Sequence, residues 1–498
     1  MSAAIGGPVT QPIPEGLSYD DVLLLPQASA VLPREVDIST WLHGRVRLRL
    51  PLLSAAMDRV TEDRMAIALA RNGGLGIIHK NVNITSQAAM VEQVKRSESG
   101  FISEPITLRP DDTVARAHEL MARYRVSGFP VVDDDDRLLG IVTNRDLRFG
   151  VGAGSTVKEH MTSEDLVTAP QGTTLEQARD LMQEHRVEKL PIVSGDRLVG
   201  MFTFKDVEKV RAYPYASKDA RGRLLCGAAV GVGPDSLERA AALVEADVDL
   251  LAVDSAHGHA LGVLEFAAKM KDHFPDVPLM VGNVATGDGI RACHDQGADI
   301  VKVGVGPGSI CTTRVVTGVG VPQFSAVRTA AEVGAQLGVP IVADGGIRYS
   351  GDVVKALAAG AAAVMVGNLL AGTDESPGDL VLVGGRRYKE YRGMGSVEAM
   401  RSGSADRYFQ GERQREPSKL VPEGVSGLLP YRGTVAEVVA QLEGGLRSGL
   451  GYVGAENLAT LVSRAEFMRQ SAAGARESHV HDVEVVHEAP NYQVPGDG

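Results

Sequence analysis

The chain has 498 residues, 44% hydrophobic and 23% charged, proportions of a folded protein that exclude global disorder and, at about 150 residues per domain, predict two or three units. Lys and Arg number 51 against 63 Asp and Glu, a net charge of −12, which argues against a broad nucleic-acid or anionic-membrane surface and leaves room for a local anion site. Three cysteines cannot build a disulfide framework, residues 1–15 lack the apolar core of a secretion signal and no apolar run approaches ~18 residues, so a cytoplasmic protein with no membrane span is expected.

In chain order, two short apolar runs come first, PLLSAAMD from Pro51 and GLGIIHK from Gly74, with a helical pattern over 61–72 between them. An internal repeat follows. Segments 106–147 and 166–207 align with Pro110 on Pro170, Leu120-Met121 on Leu181-Met182, Pro130 on Pro191, Gly140 on Gly200 and Asp146 on Asp206. Each copy reads as a helix (Val114–Tyr124, Leu175–His185), then two β-branched strands joined by a polar turn, then Gly-x-x-Thr-x-x-Asp. The acidic run Asp133 to Asp136 falls in the first copy's turn, as a solvated loop. The pattern resembles the CBS domain pair, a regulatory module that binds purine nucleotides. That resemblance implies Thr143 with Asp146, and Thr203 with Asp206, facing phosphate and ribose; read alone, the same residues cap the following helix.

Six further apolar runs complete a set of eight: LLCGAAVG (Leu224), DLLAVDSAHG (Asp249), PLMVGNVAT (Pro278), DIVKVGVGPG (Asp299), PIVADGGI (Pro340) and AVMVGNLLA (Ala363). Continuous apolar strands alternating with helices such as 350–359 predict an α/β fold with a parallel sheet buried on both faces, and eight units predict a (β/α)8 TIM barrel. The repeat then becomes a tandem CBS insertion over 104–209, its copies at 104–149 and 161–209, between barrel parts 1–103 and 210–498. Barrel chemistry lies at the carboxyl ends of strands, and phosphate sites use the loops after strands seven and eight. Here these are Asp344-Gly345-Gly346 and Gly367-Asn368, where glycine lets backbone N–H groups approach a phosphate and a helix from about Ser350 adds its dipole. Alone, Asp-Gly-Gly is a strand-to-helix turn; its place after strand seven favours the anion site. No Gly-x-Gly-x-x-Gly opens a Rossmann helix.

After strand six comes Gly304-Val305-Gly306-Pro307-Gly308-Ser309-Ile310-Cys311-Thr312-Thr313-Arg314. A cysteine on a glycine-rich loop at the active end of a barrel, with hydroxyls nearby, is a candidate nucleophile, and local N–H dipoles with Arg314 would raise its thiolate fraction. Cys226 and Cys293 fall in a strand and a helix, as small packing groups.

Together GVGPGSICTTRVVTGVGVPQ (304–323), DSAHGH (254–259), GNVAT (282–286), ADGGI (343–347), YRGMGS (391–396), DRYFQ (406–410), VPEGV (421–425) and ESHVHD (477–482) resemble the IMP dehydrogenase/GMP reductase family, on its IMP dehydrogenase side, from Leu17 to the tail. The resemblance implies oxidation of IMP to XMP with NAD+ and water, the step that commits purine nucleotides to guanine. Cys311 would add to C2 of the purine, hydride would pass to NAD+, and the covalent thioimidate would be hydrolysed. It implies a mobile flap at 401–419 that enters the vacated dinucleotide site, with Arg407 as base, Tyr408 assisting and Thr313 near the water. Free arginine is a poor base, with a pKa above ~12, so this role comes from the resemblance alone; otherwise Arg407 is a surface cation.

IMP would lie on Ser309, Asp344, Gly345, Gly346, Gly367, Asn368, Tyr391, Arg392, Gly393, Met394, Gly395 and Glu423, with the aspartate accepting from the ribose hydroxyls. Asn368 departs from the serine usual in the family, although an amide still donates to phosphate. NAD+ would contact Asp254, Asn283, Gly304, Val305 and Gly306. Potassium would take carbonyls of Gly306, Gly308 and Cys311, together with Glu477, Ser478 and His479 from a neighbouring subunit. The His479-x-His481 spacing by itself is a weak transition-metal signal. The family forms homotetramers that CBS pairs can join into octamers, under a regulatory nucleotide such as ATP or GTP. GMP reductase, which shares the Cys-Thr-Thr-Arg loop, and a nucleotide sensor on an inactive barrel are the alternatives; Asp406-Arg407-Tyr408 and the ESHVHD tail argue against the first.

Overall fold

Eight short strands are rich in Val, Ile, Leu and Ala, and of all their residues only Asp344 escapes full burial. They are β1 (Leu52–Ser54), β2 (Leu75–Ile78), β3 (Cys226–Val230), β4 (Leu250–Asp254), β5 (Leu279–Val284), β6 (Ile300–Val303), β7 (Ile341–Asp344) and β8 (Ala363–Val366). All pair in parallel and close into a barrel, with Val364 of β8 opposite Leu52 of β1 and Gly76 of β2 opposite Cys226 of β3. Burial on both faces explains the unbroken apolar runs. The eight expected strands are the eight of the barrel, and the expected helices at 61–72 and 350–359 are Asp63–Arg71 and Ser350–Ala358.

The computed structural model describes residues 13–98, 101–102, 105–124, 126–148, 152, 154–411, 417–483 and 489–492. Residues 104 and 149 at limits of the expected CBS copies, positions 412–416 of the expected flap, and the side chains of Asp206 and Lys209 lie outside them.

Inside the barrel Leu53, Leu75, Leu250, Ala252, Met280, Ile300, Val342 and Met365 form one core. A hairpin of Thr40–His43 and Val46–Leu48 adds Leu42, Val46 and Leu48 to it. Because Leu48 lies only a few residues before β1, the hairpin stops the amino-terminal end, and the opposite end is left for polar groups. Among the described residues no helix is long and apolar enough to cross a membrane.

The chain divides into two units, 1–94 with 225–498, and 95–224. In the second unit the repeat is visible directly: helix Val114–Tyr124 precedes antiparallel strands Gly128–Val132 and Leu138–Thr143, and helix Leu175–His185 precedes Lys189–Ser194 and Arg197–Thr203. Each copy has its own core, around Phe129, Val131 and Val142 or around Leu190, Ile192 and Phe202. The Asp146 carboxylate accepts from the Thr143 N–H and hydroxyl, both at 2.7 Å, the local capping contact. The acidic turn is partly internal: Asp133 accepts from the N–H groups of Asp135 (3.0 Å) and Arg137 (2.9 Å), while Asp134 is fully exposed.

Candidate active site

Cys311 stands half-buried above β6, with its sulfur 3.1 Å from the Thr313 hydroxyl. Backbone pairing fixes the loop: Cys311 N–H donates to the Gly308 carbonyl (3.1 Å), Thr312 N–H to Glu423 (2.9 Å), and Val425 N–H to Ile310 (3.1 Å). Arg314 braces the same loop from outside. Its Nε donates to the Val305 carbonyl at 3.1 Å and its Nη2 to Val321 at 2.5 Å. These bonds tie loop ends together, and the guanidinium also feels the charge of Cys311, the neighbour expected for it. Cys226 and Cys293 are buried in β3 and in helix Gly287–Asp295, and burial pushes the Cys293 thiol up to about 12.

Beneath this loop lies a polar hub with no counterpart in the sequence reading. Lys302 of β6 is almost wholly buried, and its Nζ donates to Asp254 Oδ1 (3.0 Å), Asp344 Oδ2 (2.7 Å) and Asn283 Oδ1. Asn283 Nδ2 donates onward to the Gly304 carbonyl and to Asp344 Oδ2, both at 2.8 Å. Gln323, also buried, donates to the carbonyls of Val303 (2.9 Å) and Asp344 (3.1 Å). A buried ammonium survives only when paired and hydrogen-bonded; here two carboxylates hold it. The signal was present in the sequence as the one charge inside the apolar strand Ile-Val-Lys-Val.

Around the hub the expected residues converge. Cys311, Thr313, Asp254, Asn283, Arg407 and Tyr408 line one cavity of about 120 Å³, together with Asp344, Gly345, Glu423 and the stretches 304–306 and 393–395. Ser309, Gly346, Gly367 and Asn368 line a larger cavity of about 1170 Å³ that shares Asp344, Gly345 and Tyr391 with the first. Gly345 and Gly346 have φ of +89° and +79°, left-handed values that glycine adopts without strain, so the loop after β7 can turn its N–H groups outward. The Asn368 amide donates to the Ser309 hydroxyl at 3.0 Å. Tyr391 is buried against Met57, and burial pushes its phenol well above the ordinary range. Arg392 is engaged elsewhere: Nε and Nη2 grip the buried Asp58 carboxylate at 3.1 and 2.6 Å. Its side chain therefore anchors the 393–395 loop, where the sequence reading placed it on IMP.

The expected flap begins with helix Val397–Ser402 and a 3-10 turn, Ser404–Tyr408. Arg407 forms an ion pair with Asp254, and its carbonyl accepts from the Ala256 N–H at 3.0 Å. Tyr408 lies against Gly395, where a Cβ would come within 2.9 Å of its ring, and burial pushes the phenol up. Met400, Ala405 and Leu420 form a small core under the Tyr408 ring.

The tail behaves differently. Ser478 donates to Gln470 (3.2 Å), the His479 ring packs at a tilt against Tyr349 and Tyr492, and His481 Nδ1 meets the His479 carbonyl at 2.8 Å. Among the described residues no group of three or more His, Cys, Asp or Glu side chains could hold a metal ion. The donors expected for potassium on the cysteine loop are carbonyl oxygens, which suit a hard cation. One of them, on Gly308, already accepts from Cys311 N–H and keeps a second lone pair.

Fold and site together define a parallel α/β barrel with one cysteine-bearing polar cavity at the carboxyl ends of its strands, flanked by glycine loops suited to an anion. Residues 16–481 match the IMP dehydrogenase / GMP reductase domain. Inosine-5'-monophosphate dehydrogenase of Aquifex aeolicus (strain VF5) is 57% identical over 490 residues, 98% of this chain and 99% of that protein. The Streptococcus pyogenes serotype M3 (strain ATCC BAA-595 / MGAS315) protein of the same name is 54% identical over 488 residues, covering 97% and 99%. The crystal structure of a cysteine-to-alanine variant of GMP reductase from Trypanosoma brucei, in complex with guanosine 5'-monophosphate, superposes with a TM-score of 0.85 at 42% identity, over 95% of this chain and 99% of that one. This chain belongs to the IMP dehydrogenase/GMP reductase family.

Proposed function

We propose that the chain is an IMP dehydrogenase, an NAD-dependent oxidoreductase of guanine nucleotide synthesis; the observation that carries this reading is Arg407 seated on Asp254 in the cavity that holds Cys311. The curated relatives named above support the same activity. Cys311 sulfur adds to C2 of IMP, with the Thr313 hydroxyl 3.1 Å from it and near the water of the later step. NAD+, when bound at Asp254, Asn283 and the 304–306 loop, would supply the hydride acceptor, and Cys311 would hold the oxidised purine through its sulfur. Water then adds at C2, Arg407 takes its proton with Tyr408 beside it, and the C–S bond breaks to release XMP.

The phosphate sits on the Gly345-Gly346 and Gly367-Asn368 loops with Ser309. Asp344 receives the ribose hydroxyls at the wall of the cavity, its Oδ2 held in place by Lys302 Nζ at 2.7 Å. Asp254, Asn283 and the 304–306 loop face the dinucleotide. Arg407 and the cofactor thus compete for Asp254, which separates hydride transfer from hydrolysis in time.

Potassium on the carbonyls of Gly306, Gly308 and Cys311, completed by a neighbouring subunit's Glu477, Ser478 and His479, would fix the cysteine loop in a homotetramer. Segment 104–209 would be the CBS pair, binding ATP, GTP or a related nucleotide and joining tetramers into octamers in the cytoplasm. Retention of two helix-strand-strand copies, each with its own core, supports this.

The deciding assay mixes the protein with IMP, NAD+ and potassium and follows NADH absorbance. Turnover is expected; no NADH, combined with NADPH oxidation on adding GMP, would instead assign GMP reductase activity.

A further inference from the structure

One ion pair outside the reacting atoms stands where the flap meets the barrel. Lys80 follows β2 by two residues, and its Nζ donates to Asp406 Oδ1 at 2.5 Å and to the Gly403 carbonyl at 3.3 Å. Both partners belong to the flap. The ammonium is 9% exposed, the carboxylate 24%. The same Asp406 oxygen accepts from the Arg407 N–H at 2.8 Å, so the carboxylate orients the backbone of the residue that reaches Asp254. Asp406 fits because Gly231, just past β3, has no side chain: a Cβ there would overlap its Oδ2.

Charge explains why the contact matters. Seating Arg407 brings a second cation toward Lys80, which already feels Arg239, and burial lowers the Lys80 pKa while Asp406 raises it. Asp254 is shared, since its other oxygen is held by Lys302 at 3.0 Å. Asp406 supplies the local negative charge that lets these cations sit together. Withdrawal of the flap would take both partners from Lys80 and return the ammonium to water. Asp58 and Arg392 differ, because both sit on the fixed wall.

We propose that Lys80 and Asp406 form a latch that positions Arg407, setting the fraction of enzyme with the flap seated and hence the partition between cofactor binding and hydrolysis. The proposal rests on the IMP dehydrogenase reading. Lys80 is a positioning residue; it does not touch the reacting atoms.

The test compares the full-length enzyme with Lys80→Met, Asp406→Asn and Gly231→Ala, the last removing the space for the carboxylate without changing any charge. Rapid mixing with IMP, NAD+ and potassium reads the NADH burst, and steady-state assays read kcat and the KM for NAD+. Each variant is expected to keep the burst rate within about twofold and to lose kcat by about tenfold, the effect of one charge-assisted hydrogen bond. The KM for NAD+ should fall, as the competitor for Asp254 is weakened. Lys80→Met combined with Asp406→Asn should be no worse than either alone, and Lys80→Arg should recover part of the loss. A burst slowed in step with kcat, additive losses in the double variant, or an unchanged kcat in all three would each overturn the latch. Failure of the unsubstituted enzyme to make NADH would overturn the functional reading and is separable from all of these.

Discussion

The two sides of the cavity are held by different forces. The substrate side, formed by the cysteine loop, the turns after β7 and β8 and the 393–395 loop, is set by backbone hydrogen bonds and glycine geometry: Cys311 to Gly308, Thr312 to Glu423, Gly393 to Val425. The flap side rests on side-chain charge, with Arg407 on Asp254 and Lys80 on Asp406, over a core of only a few residues. Backbone ladders give a fixed frame, whereas ion pairs at a partly wet edge exchange water for partner at modest net gain. Under the proposed reaction the site would hold one nucleotide through two steps while trading a cofactor for a protein loop, and that asymmetry suits it.

The largest effect expected on the fixed side is that of Cys311→Ala. Steady-state activity should fall by on the order of 10³-fold or more, since a nucleophile is removed outright, and intact-protein mass spectrometry should lose the purine adduct. An adduct that persists would relocate the nucleophile. Next is Arg392→Ala, which strands the Asp58 carboxylate, 5% exposed and left with only Asn81. A loss of about 2–3 kcal/mol in urea unfolding is expected, with a raised KM for IMP and little change in the KM for NAD+. A purely cofactor-side effect would erase the proposed division.

Gly345→Ala forces a side chain into φ of +89°, a strain of about 1 kcal/mol, and should raise the KM for IMP several-fold with kcat nearly unchanged. Smallest is selective labelling. Burial holds the Cys293 thiol at about 12, so brief alkylation of native protein should add one group, at Cys311, and IMP should protect it. Labelling of Cys293 at a comparable rate would mean that the barrel wall opens readily.

Much of this was legible from the amino acids, for reasons that are local. A strand buried on both faces writes itself as an apolar run, which is why all eight barrel strands and both repeat helices stand where periodicity puts them. That Cys311, Asp344 and Arg407 meet in one cavity followed from contiguous motifs, for Arg407 through the family resemblance. Lys302 was visible as the charge inside β6, yet its meaning depends on Asp254 and Asp344, each more than 40 positions away. Lys80 with Asp406 and Asp58 with Arg392 pair across more than 300 positions, and no period in the sequence records such a meeting. Arg392 was expected on IMP because a cation in a motif suggests an anion; its side-chain donors meet the buried Asp58 carboxylate.

In the proposed reaction one cavity performs hydride transfer on a fixed frame and hydrolysis under a seated flap. Stopped-flow NADH formation by Arg407→Ala, with IMP, NAD+ and potassium, tests it most directly. A burst of one NADH per subunit at close to the unsubstituted rate is expected, followed by a stall on the order of 10²-fold or more slower as the Cys311 adduct accumulates. Loss of the burst in proportion to steady-state turnover would contradict it.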